Sequence, residues 1–337
     1  MELTVPFVQE LAKEALTKVP DRYVRLHQDR PILSSSSATT PLPQLPVIDL
    51  SKLLSHDLNQ PELKKLHYAC KEWGFFQLIN HGVSGSLVEN VKKGAEEFFN
   101  LPMEEKKKFE QREGDVQGYG QAFVVSEEQK LDWADMFFLF TLPSHIRKPH
   151  LFPSIPLPFR VDLETYCEEL RTLAIQILDL MAYSLAIDPA EIRELFDQAT
   201  QSTRMNYYPP CNDVEGLQIK KDGLWIPVKP LPNAFIINLG DMLEMATNGI
   251  YRSIEHRAMV NSEKERFSIA TFYSPALNTI MNPAPSLVTP NTPAVFKRIS
   301  AGEYFKGYLA QELRGKSFLN SIRVQTENDQ KPSELYD

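Results

Sequence analysis

The chain has 337 residues, of which 42% are hydrophobic and 24% charged, and its net charge at pH 7 is −8. These proportions are typical of a globular protein with a substantial core, and the negative charge argues against a nucleic-acid-binding face. No apolar run approaches the roughly 20 residues that span a membrane, and the N-terminus lacks a secretory signal. Three scattered cysteines are too few for a disulfide framework or a zinc site. We therefore expect a cytoplasmic protein without membrane or nucleic-acid partners.

The first 46 residues predict an N-terminal helix followed by a linker. Apolar residues recur with helical spacing from Phe7 to Leu16, and Pro20 ends the pattern. Residues 31–46 contain a run of serines and several prolines, which is typical of a linker. We expect the helix to dock against the rest of the protein.

Residues 47–160 form a predicted N-terminal region, and residues 161–200 a predicted long-helix region. In the first region we predict buried strands at 47–50 and 75–79 and helices at 63–73 and 84–100. The second region carries an apolar stripe with helical spacing over 162–185. We interpret these stripes as faces that pack in the core.

Residues 201–300 predict an antiparallel β core, because short apolar runs alternate with turn residues such as Lys221-Asp-Gly223. The predicted strands are Leu217–Ile219, Trp225–Val228, Asn233–Asn238, Ile250–His256, Phe267–Tyr273 and Leu287–Val288. Residues 301–324 return to helical spacing and predict a covering helix over 303–320, and residues 325–337 predict a disordered tail. The expected fold class is α+β, with helices flanking a barrel-like or jelly-roll core.

Seven motifs occur in order along the chain: Pro46-Val-Ile-Asp-Leu50, Trp73-Gly-Phe-Phe-Gln-Leu-Ile-Asn-His-Gly82, Gly118-Tyr-Gly-Gln121, Asp132-Trp-Ala-Asp135, Met205-Asn-Tyr-Tyr-Pro-Pro-Cys211, Ser253-Ile-Glu-His-Arg257 and Glu265-Arg-Phe-Ser268. Together they resemble the plant 2-oxoglutarate- and Fe(II)-dependent dioxygenases, near the senescence-related-gene clade with its alkaloid demethylases, flavonoid oxygenases and norcoclaurine-synthase-like members. The resemblance implies a double-stranded β-helix (jelly-roll) core, a small aromatic or alkaloid-like substrate, and Fe(II) and 2-oxoglutarate as cofactors.

The resemblance implies one metal ligand, His256. In the family, two histidines and one carboxylate hold Fe(II) on one face and leave the other positions for 2-oxoglutarate and oxygen. His256 shares its strand phase with Ile254 and Ala258, so we expect it to face inward among apolar neighbours.

The resemblance also implies four residues that bind the co-substrate. Arg266 and Ser268, two residues apart on a predicted strand, point to the same face and can bind the far carboxylate of 2-oxoglutarate. Asn206 and Tyr208 are expected to lie beside the same molecule.

One join in the sequence leaves the metal ligands incomplete. Only three residues separate Cys211 from Glu215-Gly-Leu-Gln-Ile219, whereas in the family roughly 25–30 residues lie there and carry a His-x-Asp pair of ligands. The single His-x-Asp of this chain, His27-Gln-Asp29, lies in the N-terminal arm, and we interpret it as coincidence. We predict that the core is internally deleted near 211–215, lacks about two strands of roughly 5–6 residues each, and keeps one iron ligand of three.

Three functions are compatible with this pattern. The first is a family oxygenase that hydroxylates or demethylates a small aromatic substrate, with impaired catalysis. Its pocket is predicted to be rimmed by Tyr119–Phe123, Trp133–Phe140 and the C-terminal helix. The second is a norcoclaurine-synthase-like condensing enzyme that uses acid–base groups, for which Tyr208 and His256 are candidates. The third is a non-catalytic pseudoenzyme or splice form. The oligomeric state is open.

Overall fold

The computed structural model describes residues 5–14, 19–24, 43–55, 60–112, 114–121, 124, 126, 129–152, 157–210, 216–259, 264–310 and 315–324. Helices dominate the first half of the chain and antiparallel strands the second, so the predicted α+β class is confirmed. Most of the predicted linker, His27 and Asp29, the join at 211–215 and the predicted tail lie outside these ranges. None of the helices within them combines the length and apolarity needed to cross a bilayer.

The helices of the first half follow the predicted apolar stripes. The α-helices are α1 Val8–Leu11, α2 Leu50–Leu53, α3 Gln60–Tyr68, α4 Gly85–Phe99, α5 Met103–Lys107, α6 Leu157–Ser184, α7 Pro189–Arg193, α8 Asp241–Ala246, α9 Ala301–Leu309 and α10 Ser317–Ser321. A π-helical turn extends α3 over Ala69–Trp73, and four 3-10 turns lie at Asp21–Tyr23, Ser144–Ile146, Glu194–Phe196 and Pro285–Leu287.

The strands form four sheets. The strands are β1 Val47–Asp49, β2 Phe75–Ile79, β3 Gly118–Gly120, β4 Asp135–Leu142, β5 Thr200–Tyr208, β6 Gly216–Lys221, β7 Leu224–Pro227, β8 Phe235–Asn238, β9 His256–Met259, β10 Arg266–Ser274, β11 Ile280–Met281 and β12 Ile299–Ser300. Their orders are β1-β2-β8, β10-β5-β4-β3, β7-β6-β9 and β11-β12.

The β10-β5-β4-β3 sheet separates the core from the candidate site. Because successive side chains on a strand point to opposite faces, Phe137 and Met205 lie on one face together, and both are fully buried. On that face Phe98 of α4 stacks on Phe137 with ring centroids 4.3 Å apart. The opposite face carries Arg204, Asn206 and Tyr208 of β5, and the residues of β4 and β10 that point the same way. We call it the site face.

The N-terminal helix docks as predicted, and a buried carboxylate holds it. The backbone amides of Val8 and Gln9 each donate to Asp135 at 2.8 Å, one to each carboxylate oxygen. The Tyr119 hydroxyl donates to the same carboxylate at 3.3 Å, and the ammonium of buried Lys106 hydrogen-bonds Gln9 and the Phe99 carbonyl. Burial raises the pKa of Asp135 to about 6, although its hydrogen bonds favour the ionised form.

Three strands, β8, β9 and β10, each lie at the edge of a sheet. Within the described ranges, β8, β9 and β10 each pair with a single neighbouring strand, although β10 is nine residues long. No residue of β10 is buried, and Phe272 is 42% exposed. Such an edge leaves backbone donors and acceptors without a partner strand in the described ranges.

Several predicted elements of the second half are wrong. Residues 250–255 do not form a strand, because the hydroxyl of Thr247 accepts from the Tyr251 amide and ties this segment back to α8; the strand begins only at His256. Pro285 starts a 3-10 turn where a strand was predicted at Leu287–Val288. The covering helix is interrupted: α9 ends at Leu309, and α10 starts after Gly315, whose φ is +57°.

Candidate functional site

Four of the predicted site residues lie together on the site face. The strand pairing places Arg266 opposite Tyr208 and Ser268 opposite Asn206, so all four side chains project from the same side of two neighbouring strands. The side-chain amide of Asn206 donates to the Ser268 hydroxyl at 3.1 Å. The guanidinium carbon of Arg266 lies 4.9 Å from the Tyr208 ring centroid, over the ring. We call these four residues the cradle.

The cradle has unused hydrogen-bonding capacity. Nη1 of Arg266 is buried and has no hydrogen-bond partner within the described part of the chain. A buried polar atom without a partner costs free energy, which a carboxylate ligand would recover through charge-assisted hydrogen bonds. The Tyr208 ring holds the guanidinium in place, and the Ser268 hydroxyl supplies a further donor. The cradle therefore fits a carboxylate chemically.

A second arginine on the site face escaped the sequence analysis. Arg204 lies two residues before Asn206 on β5, with its guanidinium carbon 5.9 Å from the ring centroid of Phe272. Its Nε is buried, and the residues described by the structure offer that atom no hydrogen-bond partner. Because alternate residues of a strand share a face, the spacing of Arg204, Asn206 and Tyr208 in the sequence already indicated that Arg204 lies on the face of the predicted site residues.

His256 opens β9 and is more exposed than the predicted inward orientation implies, although its ring packs against the apolar side chain of Phe75. The reason is that β9 lies at the edge of its sheet. The ring lies edge-on to Phe75 with centroids 5.2 Å apart, and Nδ1 lies 3.2 Å from the Ile254 carbonyl oxygen. Solvent reaches the ring, yet surrounding protein desolvates it enough to lower its pKa, an effect that the Ile254 carbonyl opposes and nearby Arg204 reinforces.

The described residues do not supply a set of iron ligands. They contain no group of three or more histidine, cysteine, aspartate or glutamate side chains placed to hold a metal ion. Iron in this family requires two histidines and a carboxylate on one face, and His256 is the one predicted ligand that the described ranges include. The observed donor set therefore does not fit Fe(II).

The C-terminal helices are tied to α8 by ion pairs, of which Glu244 is the buried member. Lys316 binds Asp241 at 2.8 Å and Glu244 at 2.9 Å, and Arg323 binds Glu244 at 2.6 Å. The Tyr304 hydroxyl of α9 donates to Asp241. Burial alone would raise the pKa of Asp241, but the ammonium of Lys316 and these hydrogen bonds hold it below its ordinary value. This network ties α9 and the segment that follows it to α8.

The predicted pocket rim is wrong for most of the residues described. Tyr119, Trp133 and Phe137 are buried, and Tyr119 stacks on Phe7 with centroids 4.9 Å apart, so these side chains belong to the core that docks the N-terminal helix. Met136, Phe138 and Phe140 are the exceptions, because they lie opposite Asn206, Arg204 and Ser202 and therefore project from the site face. Residues 122 and 123 lie outside the described ranges.

Two family models match the chain. The first, described as "non-haem dioxygenase in morphine synthesis N-terminal", matches residues 45–155. The second, described as "2OG-Fe(II) oxygenase superfamily", matches residues 212–275. Together they cover the docked N-terminal region and strands β6–β10.

Known relatives and a solved structure match nearly the whole chain. Oxoglutarate-dependent flavonoid 7-O-demethylase 1 of Ocimum basilicum is 51% identical over 96% of this chain and 92% of its own length. Thebaine 6-O-demethylase of Papaver somniferum is 48% identical over 96% of this chain and 97% of its own length. The crystal structure of JOX2 in complex with 2OG, Fe and JA superposes with a TM-score of 0.86 at 32% identity, covering 96% of this chain and 98% of that one. The similarity to this structure confirms the predicted jelly-roll architecture.

Proposed function

Since this chain belongs to the plant 2-oxoglutarate- and Fe(II)-dependent oxygenases of the 2OG-Fe(II) oxygenase superfamily, we propose that it has kept the family's carboxylate cradle but lost two of the three iron ligands. It then binds 2-oxoglutarate or a similar acid without performing iron-dependent oxygenation. A small aromatic molecule, as handled by its demethylase relatives, is the proposed occupant of the remaining pocket.

The observation that carries this proposal is the join between Cys211 and Glu215. The alignment with the flavonoid demethylase spans 347 positions, whereas 96% of 337 residues is about 324, so about 23 positions or more lie opposite gaps in this chain. The same reasoning with the thebaine demethylase, over 352 positions, gives about 28. A total gap of that size is what the proposed deletion at the join would produce.

The strand pairing supports a gap at the same place. β5 ends three residues before the join, and β6 starts five residues after Cys211. The partner of β5, which is β10, and the partner of β6, which is β9, both have an unpaired edge within the described ranges. Two additional strands between β5 and β6 would supply partners for such edges.

The residues that remain have a defined chemical capacity. Arg266 and Ser268 can hold a carboxylate, Asn206 orients the serine hydroxyl, and Tyr208 supports the guanidinium. Each charge-assisted hydrogen bond is worth roughly 1.5–3 kcal/mol. Losing even an outer partner of a metal ligand typically costs about 10–100-fold in metal affinity, so the loss of two direct ligands costs considerably more. The cradle is sufficient for weak acid binding and insufficient for holding iron.

The geometry favours this function over a metal-independent condensation. Condensation needs an acid and a base that act on one substrate, and Tyr208 and His256 are the candidates. They lie in different sheets, and the structure records no hydrogen bond between them in the described ranges. Condensing activity that persists in a chelator would favour the alternative.

An anaerobic titration of the purified chain with Fe(II) and 2-oxoglutarate tests the proposal. The flavonoid demethylase relative serves as the positive control, and circular dichroism with a thermal melt establishes that the sample is folded. We expect the visible charge-transfer band of chelated iron in the relative and none in this chain. A saturable band in this chain that disappears in His256→Ala would overturn the proposal.

A further inference from the structure

β10 is the longest of the strands that lie at a sheet edge in the described structure. It pairs with β5 over all nine residues from Arg266 to Ser274 without a register shift, and no second strand within the described ranges pairs with it. Each of its residues is at least partly exposed. The free edge therefore presents an unbroken row of backbone N–H and C=O groups to a further strand.

The other edge strands are protected against pairing in ways that β10 is not. They are only two to four residues long, β3 has glycines on both sides of Tyr119, and β7 ends at Pro227. Short length, glycine and proline all weaken an edge as a template for another strand. β10 contains no glycine, proline or lysine, and more than half of its residues are β-branched or aromatic. Its composition is suited to pairing on both edges.

The residue order of β10 is complementary to a second, antiparallel copy of the same strand. A two-fold axis at Ala270 pairs all nine residues and places Phe267 opposite Tyr273 on each side of the axis. Aromatic residues directly opposite each other stabilise antiparallel strands. An axis one residue away, at Ile269, shortens the pairing and places Phe267 opposite Thr271, so both aromatic pairs are lost. The sequence therefore favours the axis at Ala270.

The charge distribution of β10 favours the same arrangement. Arg266 is the one charged residue of the strand, and with the axis at Ala270 it lies opposite the uncharged Ser274. The arginines of the two copies are then at opposite ends of the strand pair, where they do not oppose each other. At the axis itself two alanines meet, which are small and uncharged. No like charges are opposed anywhere along the paired strands.

We propose that the protein forms a closed homodimer in which β10 pairs antiparallel with β10 of a second copy about an axis at Ala270. The two four-stranded sheets then join into one continuous sheet, and about eight to ten backbone hydrogen bonds form across the new strand pair. Because both copies use the same edge, pairing consumes it and assembly stops at two chains. The dimer goes beyond the proposed function and requires neither a metal ion nor an acid ligand.

Opposite charges placed at the axis test the dimer. Size-exclusion chromatography with light scattering measures the mass of the full chain over a concentration series, and we expect a wild-type dimer that dissociates on dilution. Ala270→Lys and Ala270→Glu each set two like charges directly opposite, so each should raise the dimer dissociation constant at least ten-fold. An equimolar mixture of the two variants pairs lysine with glutamate and should restore the dimer.

Matched variants separate strand pairing from misfolding. Ala258→Lys and Ala258→Glu introduce the same charges at an exposed alanine of the edge strand β9, and should change the dissociation constant less than two-fold. Ala270→Cys gives a second readout, because the two cysteines face each other at a distance that a disulfide spans. Mild oxidation with copper phenanthroline should cross-link Ala270→Cys into a dimer and leave wild type and Ala258→Cys monomeric on a denaturing gel. Circular dichroism and a thermal melt establish which variants are folded.

A wild type that stays monomeric at every concentration would overturn the proposal, and so would particles larger than a dimer. With folded charge variants, a wild-type dissociation constant for Ala270→Lys or a monomeric equimolar mixture would also overturn it. If the charge variants do not fold, the absence of a cross-link in folded Ala270→Cys contradicts the axis. None of these results touches the proposed function, which fails instead if Fe(II) and 2-oxoglutarate produce the charge-transfer band.

Discussion

The two halves of this protein differ in how completely their strands and helices are covered. In the N-terminal half, Phe76, Phe98 and Phe137 are fully buried, and α1 is held on this core by Asp135. In the C-terminal half, every residue of β10 is at least partly exposed, and Phe272 is 42% exposed. The difference teaches that a strand can be paired along its whole length on one edge while its other edge has no partner in the described structure.

The largest expected effect comes from closing the open half. Inserting into the join the segment that the flavonoid demethylase carries there should restore two iron ligands and raise iron affinity more than about 100-fold, since even outer partners of ligands are worth about 10–100-fold. The free energy of unfolding should also rise by more than about 2 kcal/mol, because burying one large apolar side chain contributes roughly 1.5–3 kcal/mol. Iron titration and denaturant unfolding measure both. An insertion of equal length made of glycine and serine is the control and should do neither.

A matched pair of phenylalanine truncations compares the halves directly. Phe98→Ala should lower the free energy of unfolding by about 3–5 kcal/mol, because it empties a buried site next to Phe137. Phe272→Ala should cost below about 1 kcal/mol, because much of that ring is already exposed. Urea unfolding followed by circular dichroism gives both values. Similar losses in the two variants would contradict the contrast between a closed and an open half.

The buried anchor of α1 predicts a pH dependence. Burial raises the pKa of Asp135 from 3.8 to about 6, so between those pH values the folded protein holds a proton that the unfolded chain has released. The contribution of Asp135 to stability is therefore largest at low pH and falls as pH rises through this range, by up to about 3 kcal/mol.

The difference in unfolding free energy between wild type and Asp135→Asn isolates this effect from the other carboxylates. We expect the wild type to lose stability relative to the variant from pH 4 to pH 7. A difference that is constant over this range would refute the raised pKa of Asp135. A difference that grows in favour of wild type as pH rises would mean that folding lowers this pKa instead.

The smallest effect is expected at the predicted metal ligand. His256→Ala should change the free energy of unfolding by less than about 0.5 kcal/mol, because the ring is exposed at a sheet edge. His67→Ala in the closed half should cost about 1 kcal/mol, since Nδ1 of His67 hydrogen-bonds the hydroxyl of fully buried Tyr251 at 3.0 Å. Thermal and urea unfolding in EDTA rank the two variants. A larger loss for His256→Ala would mean that the open half is packed around that ring.

Much of the site could be predicted from residue order because a β-strand has a strict period of two. Arg266 and Ser268 were predicted to share a face, and the pairing of β10 with β5 brings them beside Tyr208 and Asn206 as expected. The same period applied to His256 gave the wrong environment, because the burial of a strand face depends on which strands flank it. Sequence spacing alone does not report the flanking strands.

The sequence by itself determined the family, the α+β class, the helical stripes of α4 and α6 and the position of the join, since each depends on local patterns or on the order of motifs. Tertiary structure decided which strands have unpaired edges, that Tyr119 and Phe137 belong to the core rather than to a pocket, and that Arg204 shares a face with the cradle. These properties arise from contacts between residues distant in sequence, and the free energy of burial and pairing acts on those contacts rather than on any single segment.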